Sequence, residues 1–359
     1  MVDNIRIRFE RDIFSGTFVN CIYFKKGKKY KNYIIKSPMK NNKSVLSVIQ
    51  SLKDGHVCIW GSMRKWYCGD TSLIDFTQGA FDRAVQKLAS IMNMPLSDFL
   101  QGKITHLEIG INVRTRISSK KLLGKIVAYK FFSKEDFYQK NGSVYFGFNR
   151  ELKKNSTRSL IVYDKCKEIV NNPQLEPHRA YQMKKAFDTF RKHGYHFLRL
   201  EFKMTGQSNI RAAKLNGITN VDELIKKWEC LYFVWAYHVS LIRVFSKIRI
   251  SAQMKRNERI IAESLQSGDF ISAQDKLLSK CTSATHNGLI SKISRTKRAI
   301  REVILKHGTY KDYNTYAFRF DVAMTLRRAC KKETSCIHVG AIIRTLWTQS
   351  CIAPYNKGK

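Results

Sequence analysis

Acidic residues are scarce in this chain: 28 Asp and Glu stand against 65 Lys and Arg in 359 residues, a formal net charge of +37 at pH 7. That imbalance excludes the near-neutral surface of an ordinary metabolic enzyme. Proline is rare too, at 5 residues, while 43% of the chain is hydrophobic. A disordered polycation is thereby excluded, and a packed interior of one large or two ordinary domains is expected. Long apolar runs are missing: the longest, Cys230 to Ile242, is bounded by Glu229 and Arg243 and is too short to span a bilayer. No charged stretch followed by an apolar core opens the chain, so neither an export signal nor a membrane location is expected. The 9 cysteines include no Cys-x-x-Cys pair and fit reduced thiols in a cytoplasm. Cys330, Cys336 and His338 lie close together but lack the fourth spaced ligand that structural zinc usually takes.

What is present is a globular protein with a strongly basic surface. Such a surface attracts polyphosphates by counterion release, so DNA or RNA is the leading partner and an anionic membrane surface the competitor. The first hundred residues alternate short β-like runs, such as Ile5 to Phe9 and Tyr33 to Ile35, with Lys-rich turns. A helix is predicted near Gln78 to Met92, and from there to Gly206 the pattern is strand, loop, strand, helix, strand. Beyond Asn220 the periodicity is helical, over Val221 to Lys247, Ile260 to Ser279, Ser291 to His307 and Phe318 to Lys331. The expected fold is α+β: a mostly antiparallel sheet with flanking helices over residues 1–210, then a basic helical region over 211–359.

Each of three β-like runs brings an acid. From Leu107 to Val113 the odd positions are apolar and the even ones polar, so His106 and Glu108 project from one face, spaced to share a divalent ion. A second run, Ser159 to Glu168, follows a basic loop with Lys153, Lys154 and Arg158 and reads as a strand entering a turn or short helix. In the third, Leu198, Leu200 and Phe202 share one face while Arg199, Glu201 and Lys203 share the other. Convergence of Glu108, Glu168 and Glu201, with His106, would make a site of hard oxygen ligands for Mg²⁺ or Mn²⁺. The competing reading pairs these acids with neighbouring cations.

Between the second and third runs, Ala180, Met183, Phe187 and Phe190 form a helical core stripe. Tyr181 lies beside it, with Lys184 and Lys185 three and four residues on. A phenol is a weak nucleophile until nearby positive charge favours the phenolate, and these lysines supply part of that bias. Tyr163, beside Asp164 and Lys165, is the second candidate.

Taken in order, these runs resemble the phage and plasmid replication proteins typified by the gene II protein of filamentous phages, over roughly residues 55 to 205. The family's Arg-x-Asp-type strand appears as His106-Leu107-Glu108, its Tyr-x-Lys-x-x-Glu stretch as Arg158 followed by Tyr163 to Glu168, and its Arg-x-Glu strand as Arg199-Leu200-Glu201. Tyr181-Gln182 stands in the place of the family's catalytic tyrosine. His106 and Glu108 depart from the usual Arg and Asp, and the His-hydrophobic-His signature of many other rolling-circle initiators is absent.

The resemblance implies a rolling-circle replication initiator in the cytoplasm of a bacterial host. It would nick one strand of a duplex origin through Tyr181, form a 5′-phosphotyrosine, and later rejoin the strand, with a host helicase and polymerase as further partners. Arg158, Lys165 and Arg199 are expected near the scissile phosphate, and Arg298 and Arg301, with the other C-terminal cations, on duplex backbone. Trp60, Trp66 and Tyr67 are candidates for base stacking or for core packing. Two other functions stay open: a non-catalytic nucleic-acid binder, and a metal nuclease that activates water.

Overall fold

A computed structural model describes the chain except residues 11–19, 26–27, 40–41, 70, 130–137, 141–142, 150–153, 174, 214, 245–247, 267–269, 308–314, 334–336 and 349–359. Lys153 and Cys336 lie outside the described residues, as do the side chains of Lys154 and Arg301.

The strands are β1 (Val2–Phe9), β2 (Asn20–Lys25), β3 (Lys28–Lys36), β4 (Val45–Ser51), β5 (Val57–Ser62), β6 (Lys103–Thr115), β7 (Ile126–Tyr129), β8 (Tyr138–Lys140), β9 (Ser143–Asn149), β10 (Lys154–Asp164), β11 (His196–Thr205) and β12 (Ile242–Val244). All but β7 and β12 join one ten-stranded sheet, ordered β2-β3-β4-β5-β1-β6-β11-β10-β9-β8. Every neighbouring pair in it is antiparallel. The helices before β11 are α1 (Met63–Cys68), α2 (Gln78–Ile91), α3 (Leu96–Leu100), α4 (Ser119–Lys125), α5 (Lys165–Val170) and α6 (Pro177–Lys192). After it come α7 (Gln207–Ala212), α8 (Val221–Lys226), α9 (Glu229–Ser240), α10 (Arg256–Gln266), α11 (Phe270–Ser279), α12 (His286–His307), α13 (Thr315–Cys330) and α14 (Val339–Thr348). The α+β class, with an antiparallel sheet followed by helices, is as the periodicity predicts.

The helix predicted over Val221 to Lys247 is divided. Asn220 closes a capping box on Glu223 and starts α8, which stops at Lys226; α9 follows, and Ile242–Val244 then leaves the helix to pair with β7. β-branched Ile242 and Val244 suit that strand. The helix predicted over Ile260 to Ser279 falls on α10 and α11, with 267–269 outside the described residues, and α14 has no counterpart among the predicted helices. One hydrophobic core runs from Met1 to Leu346 and takes in both the sheet and the C-terminal helices. Among the described residues no helix is long and apolar enough to cross a membrane.

The central strands have two unlike faces. Leu107, Ile109, Ile111, Val113, Leu198, Leu200, Phe202 and Met204 are buried on one side. The other carries His106, Glu108, Gly110 and Asn112 on β6 and Arg199, Glu201 and Lys203 on β11, in register with one another. Between Val2, paired with Ile109, and Asn4, paired with Glu108, β1 holds one residue more than β6. Asp3 is that residue. Strict alternation would put it on the face of Ile5 and Ile7; the bulge turns it to the polar face instead.

Candidate metal centre

Three neighbouring strands bring one carboxylate each to the middle of the polar face. Asp3 of β1, Glu108 of β6 and Glu201 of β11 offer oxygens that all lie within 4.8 Å of one another. Asp3 is buried, and the other two are half-buried.

Arg199 holds this group from beneath. Its fully buried guanidinium reaches Asp3 Oδ2 at 2.6 Å, Asp75 Oδ1 at 2.8 Å and Glu201 Oε1 at 3.2 Å. The path from β11 to Asp3 crosses β6 at Gly110, where a Cβ would come within 2.3 Å of Arg199 Nη2. A second buried guanidinium, Arg64, lies 3.3 Å from Asp3 Oδ1, which also accepts from Ser62 at 2.6 Å. Burial alone would favour the acid form of Asp3, but Arg64 and Arg199 outweigh it and hold the carboxyl well below its usual range. Burial likewise opposes the charge on Arg199, and Asp3, Glu201 and Asp75 more than compensate.

Glu108 differs from its neighbours: it has no hydrogen-bond or ion-pair partner among the described residues. Burial, then the charges of Glu201 and Asp3, push its carboxyl well above the usual range, only partly offset by Lys203 and Arg199. On Glu201, Tyr163 at 2.6 Å and Arg199 at 3.2 Å both donate to Oε1, which leaves Oε2 open. Four carboxylates, counting Asp75, thus face two buried guanidiniums. The formal deficit is two positive charges, and the donors are hard oxygens, so the residues present fit one divalent cation of the Mg²⁺ or Mn²⁺ type.

The family model for the N-terminal region of the phage gene II replication-associated protein matches residues 6–227. The chain belongs to that family. This is the kind of phage rolling-circle replication protein that the ordered motifs resemble. No curated protein and no solved structure matches the chain. Within the span matched by the family lie Glu108, Tyr163, Glu168, Tyr181 and Glu201, whereas Asp3 precedes it.

Of the four ligands expected from sequence, Glu108 and Glu201 come together and two are placed otherwise. Glu168 pairs with Lys165 at 2.6 Å and Lys65 at 3.2 Å. Burial works against its charge, yet those lysines win and keep the carboxyl below its usual range. His106 shares the polar face but packs against Trp60, with ring centroids 4.8 Å apart, and its Nδ1 meets Thr205 Oγ1 at 2.9 Å. Burial, with the charges of Lys203 and Arg6, lowers its pKa to about 3, so the ring is neutral.

Several expected phosphate contacts are also elsewhere. Arg199 and Lys165 are wholly buried, the first among three carboxylates and the second under Glu168. Burial pulls the Lys165 ammonium below its usual range. Arg158 pairs in register with Met204, which places it on the Leu160 and Val162 side of β10, away from the acids. Tyr163 donates to Glu201, and burial and then that carboxylate push its phenol well above the usual range, the opposite of what a nucleophile requires.

Tyr181, by contrast, is 67% exposed on α6. Ala180, Met183 and Phe187 anchor that helix in a small core with Cys166, Ile169, Leu73 and Phe197. Phe197 shares its strand face with Arg199 and Glu201, so α6 lies on the acidic side of the sheet. Lys184 and Lys185 are exposed beside Tyr181, and Arg298 is exposed on α12. Trp66 belongs to the core, whereas Trp60 is half-buried under Arg6, 4.1 Å from its ring centre. His338 meets Glu229 at 3.1 Å, and Cys330 is buried.

Sequence reasoning missed Asp3, Asp75 and Arg64. A signal existed for Asp3, an acid inside an apolar strand of an acid-poor chain, but alternation assigns it to the wrong face. Asp75 and Arg64 lie outside regular alternation and carry no such signal.

Proposed function

We propose that the chain nicks one strand of a replication origin through a tyrosine and later rejoins it, in rolling-circle replication. The observation that carries this reading is the group of Asp3, Glu108 and Glu201, short of positive charge, within a family of replication-associated proteins. A divalent cation bound there would act as a Lewis acid on a phosphodiester and stabilise developing charge. Asp3, Glu108 and Glu201 would hold it, while Arg199 fixes two of these acids and Tyr163 orients Glu201. Tyr181 Oη forms a bond to phosphorus, the phosphorus–O3′ bond breaks, and O3′ leaves with a proton. Lys184 and Lys185 stand exposed beside Tyr181, and the same bonds exchange in reverse when the strand is rejoined.

A division of labour follows. Residues 1–210 carry the nicking chemistry, and the helices of 211–359 grip origin duplex through exposed Lys292, Arg295 and Arg298, spaced three apart along α12. A host helicase and polymerase would then use the exposed 3′-hydroxyl in the bacterial cytoplasm.

Supercoiled DNA carrying the chain's own origin, incubated with the protein and Mn²⁺, tests the reading. Nicked circles with protein covalently attached are expected, and Tyr181→Phe should lose the adduct while keeping duplex binding. Nicking without attachment would point to a nuclease that activates water, and no nicking with any divalent ion to a non-catalytic binder. An undiminished adduct in the variant would move the nucleophile to another tyrosine.

A further inference from the structure

A pocket of about 300 Å³ opens beside the acidic centre, between residues 73–77, the end of β6 and α13. Its volume is at the low end for small-molecule sites. Asp75 and Asn112 line it. Asn112 is 6% exposed, its backbone N–H donates to both Asp75 oxygens at 3.1 Å, and its Nδ2 donates to the Leu73 carbonyl at 2.7 Å. That leaves Oδ1, which is buried and accepts no hydrogen bond. Flipping the amide would only set an oxygen against the Leu73 carbonyl, so the free acceptor is a property of the site. An unsatisfied buried acceptor is costly, and a ligand donor would relieve it.

The rest of the lining narrows the ligand. Arg114, Arg328 and Lys332 also line the pocket, the last two exposed, and none of the three pairs with a carboxylate among the described residues. Phe197 adds an aromatic wall. A bare anion would be drawn to the cations but repelled by Asp75 and indifferent to Phe197 and the Asn112 acceptor. A nucleobase has ring faces for the aromatic wall and amino or imino donors for Asn112, and its phosphate suits the cations.

We propose that this pocket holds one unpaired nucleotide of the DNA strand, its base turned inward to Asn112 and its phosphate on Arg114, Arg328 and Lys332. The inference rests on the nicking function proposed above and adds to it a place where the strand is read next to the break. Asp75 joins the two sites: it bonds to Asn112 on one side and to Arg199 on the other, and Arg199 in turn holds Asp3 and Glu201.

Titrating the full-length chain in EDTA with each of the four 2′-deoxynucleoside 5′-monophosphates and with inorganic phosphate tests this. At least one nucleotide is expected to bind about tenfold or more tightly than phosphate, and the surface double variant Arg328→Ala/Lys332→Ala to lose about tenfold or more of that affinity. Tyr181→Phe should bind the nucleotide like the wild type. Absence of nucleotide binding, phosphate binding as tight as the best nucleotide, or an unaffected double variant would each overturn the pocket. The measurement needs neither metal nor cleavage, so a chain that nicks but fails here loses only the pocket, and one that binds nucleotide but never nicks loses only the nicking function.

Discussion

Glu108 is the residue on which the chemistry of the centre turns. Asp3 and Glu201 are each held by a guanidinium, whereas Glu108 faces their charges with no donor of its own. Its carboxyl, raised by burial and by Glu201 and Asp3, keeps a proton in the metal-free folded chain at pH values where the unfolded chain has lost it. Between those two pKa values the folded state binds more protons, so this residue makes stability fall as pH rises. Asp3 and Glu168 work in the opposite sense: their lowered pKa values stabilise the fold above the usual carboxylate range, and that contribution is lost as pH falls. In EDTA, Glu108→Gln should therefore raise Tm above the usual carboxylate range and flatten its decline with pH, while with Mn²⁺ the wild type should be the more stable. Thermal melts from pH 5 to 9, with and without Mn²⁺, read both effects. Identical wild-type and variant profiles in EDTA would show that Glu108 is not strained by its neighbours.

At the scale of the element, β6 positions the centre less by what it carries than by what it omits. Glu201 and Gly110 are directly paired, and the missing side chain leaves the channel through which Arg199 crosses to Asp3. Gly110→Ala would put a methyl group 2.3 Å from a guanidinium nitrogen. The expected result is a loss of about 2 kcal/mol of stability, from overpacking and a displaced buried charge, together with weaker Mn²⁺ binding. Chemical denaturation and metal titration check the two separately. A fully stable variant with normal metal affinity would mean that Arg199 has another route to Asp3. The bulge in β1 is the complementary device, since it turns Asp3 toward the acids without breaking the apolar series Ile5, Ile7 and Phe9. In α5, the Asp164 side chain caps Lys167 N–H, and one turn then sets Lys165 under Glu168. That spacing gives the Tyr-x-Lys-x-x-Glu stretch a structural meaning: Tyr163 braces Glu201 from the strand, and the lysine and glutamate neutralise one another beside it.

Over the whole molecule, the net charge of +37 is distributed unevenly in kind. Lys165, Arg64 and Arg199 are engaged inside by carboxylates, whereas Lys292, Arg295 and Arg298 project along α12 with no carboxylate partner among the described residues. Replacing those three by alanine should leave Mn²⁺ binding intact and weaken duplex binding at low salt. The slope of log K against log salt should shrink by about 2 to 3, close to one unit for each phosphate contact removed. An unchanged slope would place the duplex on another surface. Because α13 packs on β6 and α14 on α9 within one core, the helical region also supports the strand that carries Glu108.

The α+β class, both faces of β6 and β11, a turn or short helix after β10 and Ala180, Met183 and Phe187 of the α6 stripe were legible in the sequence, because period is a local property of the chain, whereas Phe190 of that stripe is exposed. The family was legible too, since its motifs lie in fixed order along the chain. What joined Asp3 to Glu108 and Glu201 was not legible, since it depends on sheet order and on one extra residue in β1 that alternation cannot anticipate. Tertiary structure alone decided that Arg199 neutralises acids inside the fold, and that Lys165, paired with Glu168 three residues on, is buried instead of meeting phosphate at the surface. A charged side chain looks the same in sequence whether its partner is a carboxylate a hundred residues away or a strand of DNA.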